Sequence, residues 1–439
     1  MNRLSVKGWI IALGMALAAA GLGWWAFVRD TGGGPGQVTL RFWNGFTGPD
    51  GRTMLRIVRQ FNRENPDVHV LMQRMDWHTY YNKLFVAALG GRGPEVFVIH
   101  TSNLPRFSRA GFLRPIDDLV HGDHPLDVDD IDANIWKVVE YGGEHLAVPL
   151  DVHPQGLYYN ADLLRAAGVV DDRGRARPPT NGEEFIDALR RLTRDTDGDG
   201  QTDQWGFAFI YFPNNFQSLA PQFDATFFSP DGSRCTLDAP ANAQMLQMGV
   251  DWIHTYKIAP PPEDMAAWIG FRQGKVAMVF EGVYMLAALQ RHKGFDYGGA
   301  PIPQFGPKPG TYGDCHTLCM PRDLSDRKVR AAWRLMKFLS DHSLDWAEGG
   351  QVPVRKSLRE SARFQALPVQ SQFARQVPHI GFGPRVPFYM EFRTELTRAI
   401  DRALRGRVSP AKALGDARGY IDDVIARDLH NFPPAEDAP

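Results

Sequence analysis

The sequence predicts an α/β protein, and three observations carry that reading. Strand-like alternation and helical spacing follow one another from Val38 onward, and the same alternation resumes near Leu157. Over 439 residues, 44% hydrophobic and 23% charged content suffices for a sizeable buried core.

Val38–Trp43 alternates as a strand and ends in Asn44-Gly45. Met54, Leu55, Val58 and Phe61 then recur at helical spacing until Asn65-Pro66 stops them. Val68–Met72 reads as a second strand, Trp77–Leu89 as a helix and Glu95–Ile99 as a third strand. Such βαβ units build a sheet with helices on both faces, and ligands bind at the strands' carboxyl ends. Those ends are Trp43-Asn44 and His100–Asn103. The second region begins at Leu157–Asn160 and continues through an amphipathic helix over Glu183–Leu192. Strand Trp205–Ile210, helix Ala241–Tyr256 and strand Val276–Phe280 come next. After Pro301–Pro303 the chain turns helical, over Arg330–Ser340, Glu391–Leu404 and Ala411–Ala426.

Lys plus Arg (49) nearly cancels Asp plus Glu (50), so no basic excess marks a nucleic-acid partner. Cysteine is scarce: Cys315 and Cys319 can pair and leave Cys235 free, or all three can stay reduced. A metal on Cys315, His316 and Cys319 is disfavoured, because the spacing matches no zinc pattern.

At the N-terminus, Arg3 and Lys7 precede an uncharged stretch, Gly8–Val28, closed by Arg29 and Asp30. Its length approaches that of a membrane-spanning helix, and Trp24 and Trp25 suit the interface. The leading charges place the chain beyond Asp30 outside the cytoplasm. Residues 1–30 are therefore a signal peptide or a signal-anchor. Cleavage after Ala20 releases a soluble protein; no cleavage leaves a tether to the inner membrane through residues 8–28, which the apolar Trp24–Val28 favours. No cysteine lies next to the end of the stretch, which disfavours a lipid anchor. Residues 31–37 form a Gly-rich linker.

Short blocks along the chain carry a family resemblance. They are Phe42–Gly45, Gly93–Phe97, Gly111–Asp118, Ala147–Asp151 with Leu157–Asn160, and Pro179-Thr180 with Glu183–Phe185. Gly274–Met278 with Glu281-Gly282, Pro353–Ser357, and Gly406–Pro410 with Ala413-Leu414 complete the set. In this order, over roughly Val38 to Asp428, the chain resembles the sugar-binding extracellular solute-binding proteins of ABC importers, the family of maltose-binding protein. The resemblance implies a two-lobed periplasmic-binding-protein fold of type II, each lobe a mixed sheet flanked by helices, with the ligand cleft between lobes. One lobe would take residues 38–150 plus 306–350, the other 154–300 plus 354–430, with 431–439 as a tail. The chain would first cross near Asp151–Pro154, return near Pro301–Gly306 and cross again near Gly350–Pro353. It also implies a mono- or oligosaccharide-like ligand, a membrane permease as partner, a monomer, and no catalytic cofactor.

Sugars present hydroxyls at the ring edge and C–H groups on the faces, so a site needs aromatic platforms and planar hydrogen-bonding groups. The candidates are Trp43, Asn44, Ser102 and Asn103 at strand ends, and His153 at the first crossing. The second lobe adds Asn214, Asn215 and Phe216, then Glu281 and Tyr284. Asp314 and His316 come after the return, and Tyr389 lies beside Phe388. Trp43 at a strand end also suits core or rim, His153 a backbone-bonded hinge, and Phe388 packing.

Asp195, Asp197, Asp199, Gln201 and Asp203 place oxygens at alternate positions with Gly200 sixth, as in a calcium loop; Gly206 stands where a bidentate Glu is wanted. A structural Ca²⁺ and a solvated acidic turn both fit. An exported hydrolase is the rival reading, with Asp151, Glu281 and Asp314 as its carboxylates. A sensing module for a membrane receptor is a third. No nucleophile elbow, zinc-protease helix or phosphate loop appears.

Overall fold

The computed structural model describes residues 36–210, 212–291 and 294–431; the expected signal peptide or anchor (1–30), most of the expected linker and the expected tail from 432 lie outside them. Among the described residues no helix is long and apolar enough to cross a membrane.

Strands run in chain order as β1 (Val38–Asn44), β2 (Val68–Arg74), β3 (Val96–His100), the hairpin β4 (Glu140–Tyr141) and β5 (Glu144–His145), β6 (Val148–Pro149) and β7 (Asp151–Asn160). Then come β8 (Trp205–Phe207), β9 (Val276–Gly282), β10 (Tyr297–Ala300), β11 (Thr311–Asp314), β12 (His316–Cys319), β13 (Val352–Pro353) and β14 (Ile380–Phe382). The first lobe's sheet has the order β2-β1-β3-β12-β6, and the second lobe's β14-β11-β7-β9-β8, with β10 and β13 also pairing to β7. Both are mixed: β1 runs parallel to β2 and β3, whereas β12 is antiparallel to β3. In the second, β7 is antiparallel to β9, which runs parallel to β8.

Strand alternation divides the cores. Leu40, Phe42, Val96 and Val98 bury against one helical layer, while Trp43, Phe97 and Ile99 bury against Tyr80, Leu84 and Phe107 on the other face. Each fully buried Phe or Leu contributes about 1.5–3 kcal/mol. Helix Pro49–Glu64 begins with proline, carries Asp50 in its first turn and stops at Asn65. Helix Trp77–Leu89 is capped by Asp76, whose side chain accepts the His78 N–H at 2.9 Å. In the second lobe Met278 and Phe280 face a core with Phe185 and Leu157, while Val279 and Tyr158 face the other way. Expected strand Trp205–Ile210 stops at Phe207, because the Phe209 ring turns to stack on Trp252 at 5.7 Å.

Leu150 alone separates β6 in the first sheet from β7 in the second, and Cys315 alone separates β11 in the second from β12 in the first. The return crossing therefore lies at Asp314–His316, beyond the Pro301–Gly306 connector the sequence suggests. Gln222 explains the difference. Its amide donates to the Pro303 and Gly310 carbonyls at 3.0 Å each and accepts the Gly306 N–H at 3.2 Å, stitching that stretch to the second lobe. β13 pairs with the first residues of β7, Val352 with Val152 and Pro353 with Asp151. The three passages thus lie side by side under the cleft. Cys235, Cys315 and Cys319 are all free thiols and buried, so no bridge joins Cys315 to Cys319. Burial pushes the Cys319 thiol up to about 12 and Cys235 to about 11.

Candidate functional site

The strand ends of both sheets meet around two adjoining cavities. One, of about 380 Å³, is lined by Trp77, Tyr81, His100, Ser102 and Asn103 from the first lobe and by Asn214, Tyr312, Tyr389 and Arg393 from the second, with His153, Gln155, Tyr284 and Asp314 at its base. The other, of about 280 Å³, shares Trp77, His100, His153 and Tyr284 and extends to Asp50, His316 and Gln351. A larger, more open groove of about 1060 Å³ shares Tyr312 and continues along Tyr141, Phe228, Phe382 and Arg385. The smaller pair holds the buried polar side chains and is the better candidate for specific recognition.

Two glycines shape the walls. A Cβ on Gly45 would lie 2.0 Å from the Trp77 ring, and one on Gly282 2.0 Å from the Tyr284 ring, so each aromatic lies against bare backbone. Trp77 stacks on His316 with centroids 5.5 Å apart and on Tyr81 at 5.6 Å. Tyr312 and Tyr389 join hydroxyls at 3.2 Å. Asp314 accepts the Ser102 hydroxyl at 2.7 Å and the Cys315 N–H at 2.9 Å, and bonds the Thr101 hydroxyl. It thereby fixes the first-lobe loop against β11.

Under this floor lies Asp151, fully buried. Its carboxylate bonds His316 Nδ1 at 2.8 Å, accepts the His316 N–H at 3.1 Å and the Trp346 indole N–H at 2.5 Å, and faces His153 Nδ1 at 3.3 Å. Burial alone would raise its pKa, but the two histidines hold it well below the usual carboxylate range. Burial pushes His100 well below the ordinary histidine value, and His316 and His153 depress it further, so its imidazole is neutral at pH 7. Glu281, also fully buried, is pushed up to about 7 by burial, against the opposing pull of the Gly282 N–H, which it accepts at 2.7 Å.

Of the expected ligand residues, Ser102, Asn103, His153, Asn214, Tyr284, Asp314, His316 and Tyr389 line the two cavities. The others do not. Trp43 packs inside the first lobe, because its position on β1 points it away from the cleft toward Tyr80 and Leu84. Asn44 is fully buried and accepts the Phe46 N–H at 3.2 Å, holding the turn. Asn214–Phe216 lie in helix Phe212–Leu219, whose period sends Asn215 to the Phe280 carbonyl at 3.1 Å and Phe216 into the core beside Phe227. Glu281 sits beneath the floor, and Phe388 packs on Phe228. Trp77, Tyr81, Gln155, Tyr312 and Arg393 join the site without having been singled out by sequence pattern, and so does His100, which the sequence marked only as part of a ligand-facing strand end. Trp77 and Tyr81, four apart on one helix face, were the detectable signal among them.

The acidic loop lies apart and exposed. Asp195, Asp197 and Asp203 bring carboxylate oxygens within 4.8 Å of one another; Asp199 is outside that group. Asp195 accepts the Gly198 and Gly200 N–H groups at 2.7 and 2.8 Å, Asp203 the Thr196 N–H at 2.8 Å, and Asp199 the Gln201 N–H at 2.7 Å. Backbone donors already serve these carboxylates.

Two α/β lobes joined by three adjacent passages, with a cleft of rings and planar polar groups, define a capture-type binding protein. The bacterial extracellular solute-binding protein family matches residues 46–343, and the chain belongs to it. The maltotriose-binding protein of Pyrococcus abyssi is 20% identical over 386 residues, covering 85% of this chain and 78% of its own. Among solved structures, the maltose/maltodextrin-binding domain MalE of Bdellovibrio bacteriovorus bound to maltotriose superposes with a TM-score of 0.72 at 24% identity, covering 90% of this chain and 100% of that one. The sugar-binding protein MalE of Xanthomonas citri does so with a TM-score of 0.77 at 20% identity, covering 91% and 100%. The protein is thus a two-lobed solute-binding protein.

Proposed function

We propose that this protein captures a carbohydrate, an oligosaccharide in preference to a single sugar, between its lobes and hands it unaltered to the permease of an ABC importer. The observation carrying this reading is the ring-lined cleft. Trp77, Tyr81, Tyr284, Tyr312 and Tyr389 offer faces for C–H groups, while Asn103, Gln155, Asn214, Asp314 and Arg393 offer hydrogen bonds to hydroxyls. The groove beyond Tyr312 supports a ligand of several units. Relatives and fold neighbours named for maltotriose support the same class.

The hydrolase reading loses its expected carboxylates: of Asp151, Glu281 and Asp314, only Asp314 lines the cavities. Residues 8–28 would tether the chain, as a monomer, outside the inner membrane and raise its local concentration at the permease. Extraction by alkaline carbonate would argue against that tether. A Ca²⁺ on Asp195, Asp197 and Asp203 is the reading for the acidic loop; a melting temperature unmoved by millimolar calcium would leave the loop a backbone-satisfied turn.

The deciding experiment is a thermal-shift and calorimetric screen of the full chain against mono-, di- and oligosaccharides. A ligand at 100 times its Kd adds about 2.7 kcal/mol, a visible rise in melting temperature. Selective oligosaccharide binding without hydrolysis supports the proposal. A response only to peptides, polyamines or phosphate esters overturns the carbohydrate assignment.

A further inference from the structure

Three histidines from separate strands converge on the cleft floor. His100 ends β3 and His316 begins β12, facing each other in register within the first sheet, while His153 lies on β7 of the second. Each offers a ring nitrogen, and the three nitrogens lie within 4.8 Å of one another. Ring centroids are 4.6 Å apart for His100–His316 and His153–His316, and 5.4 Å for His100–His153.

Their hydrogen bonds share one pattern. Nδ1 of His316 is bonded by Asp151 at 2.8 Å, Nδ1 of His153 faces the same carboxylate at 3.3 Å, and Nδ1 of His100 is bonded by the Tyr81 hydroxyl. With Nδ1 so held, Nε2 of each ring is the nitrogen that would ligate. A histidine whose far nitrogen is held by a carboxylate or hydroxyl has the arrangement that orients metal-ligating imidazoles. Aromatic contact with Trp77 would account for His316 and His100, but not for His153, whose ring shares the Asp151 carboxylate with His316.

We infer that His100, His153 and His316 form a transition-metal site, with Asp151 and Tyr81 positioning the rings. Imidazoles select Zn²⁺, Cu²⁺ or Ni²⁺ over Ca²⁺ or Mg²⁺. With metal–nitrogen bonds of about 2.0–2.1 Å, tetrahedral geometry sets the nitrogens about 3.3 Å apart, within reach of small ring rotations from the present spacing. Three protein ligands leave a fourth position, which opens on the cavities, so an oxygen of the bound solute completes the shell. Because His153 belongs to the second sheet and the other two to the first, the ion also fastens the lobes. The site stands whether or not that solute is a carbohydrate.

The test is calorimetric titration of the full chain with Zn²⁺, together with electron paramagnetic resonance of its Cu²⁺ form. We expect one Zn²⁺ per chain at micromolar affinity or tighter, nitrogen hyperfine structure from at least two imidazoles, and binding weakened at least 100-fold in His316→Gln and His100→Gln. Asp195→Asn/Asp197→Asn, in the acidic loop, should leave it unchanged. Binding no tighter than millimolar, binding kept by both histidine variants, or binding lost only in the acidic-loop variant overturns the site. Should the histidine variants not fold, the Cu²⁺ spectrum decides alone, and fewer than two coordinating nitrogens refutes it. Carbohydrate binding measured in the same samples with and without EDTA keeps failure of the sugar reading separate from failure of the metal site.

Discussion

Asp151, the first residue of β7, bonds Nδ1 of His316, the first residue of β12, at 2.8 Å. Each residue begins a strand just after a passage between lobes, so one buried carboxylate ties two of the three passages together. Asp151→Asn keeps the shape but replaces one acceptor oxygen with an amide donor, facing histidine and indole groups that already donate. We expect a loss of about 2–4 kcal/mol at pH 7, read from urea midpoints. Since the folded-state pKa of Asp151 is depressed, its contribution is complete above the unfolded value near 4 and is lost as pH falls below it. Wild type should therefore lose stability more steeply than Asp151→Asn below about pH 4; parallel acid limbs would contradict this role.

Glu281 gives the opposite sign. Its carboxyl titrates at about 7 in the folded chain against an unperturbed 4.5. Between those values the unfolded state has released a proton the folded state keeps, so stability falls as pH rises and levels off above about 7. Glu281→Gln retains an acceptor for the Gly282 N–H and removes the charge. It should be near neutral at pH 4.5 and stabilising by about 1–3 kcal/mol at pH 8. Denaturation midpoints at the two pH values measure the difference, and equal effects at both would show that Glu281 ionises freely.

The two first-lobe tryptophans separate binding from packing. Trp77 lines both cavities, whereas Trp43 is sealed in the lobe. Trp77→Ala should weaken carbohydrate binding about tenfold or more with a modest change in stability. Trp43→Ala should cost about 3–5 kcal/mol of stability while the residual folded protein binds normally. Calorimetry beside chemical denaturation reads both, and a reversed pattern would return Trp43 to the ligand site.

That contrast shows what the sequence can and cannot disclose. Strand alternation at Val38–Trp43 and helical spacing at Met54–Phe61 are local, so the elements of the first lobe were legible. Which way Trp43 points depends on which face of β1 each helix covers, and that is decided by distant residues such as Tyr80. Asn214 and Asn215 read alike as polar ligand candidates, but a helix over Phe212–Leu219 turns one into the cleft and its neighbour to the Phe280 carbonyl. The convergence of His100, His153 and His316 was invisible for the same reason: strands far apart in the chain bring it about. The return crossing was misplaced because Pro301–Gly306 looks like a connector, while the side chain that anchors it, Gln222, lies far back in the sequence.

One ion pair joins helices of the two lobes at the surface. Arg109, ending helix Leu104–Arg109 of the first lobe, pairs with Asp428 in helix Pro410–Asn431, whose apolar side belongs to the second lobe's core. The two side chains are 25% and 18% exposed, so solvent screens them only in part. A pair of this kind is worth about 1 kcal/mol at most, or about fivefold in an equilibrium between closed and open lobes. Arg109→Ala and Asp428→Ala should each weaken ligand binding up to about fivefold and enlarge the ligand-free radius of gyration in small-angle scattering. The double variant should do no more than Arg109→Ala alone, because the Arg109–Asp428 contact is already lost there. Additive effects would mean that the two residues act through different contacts.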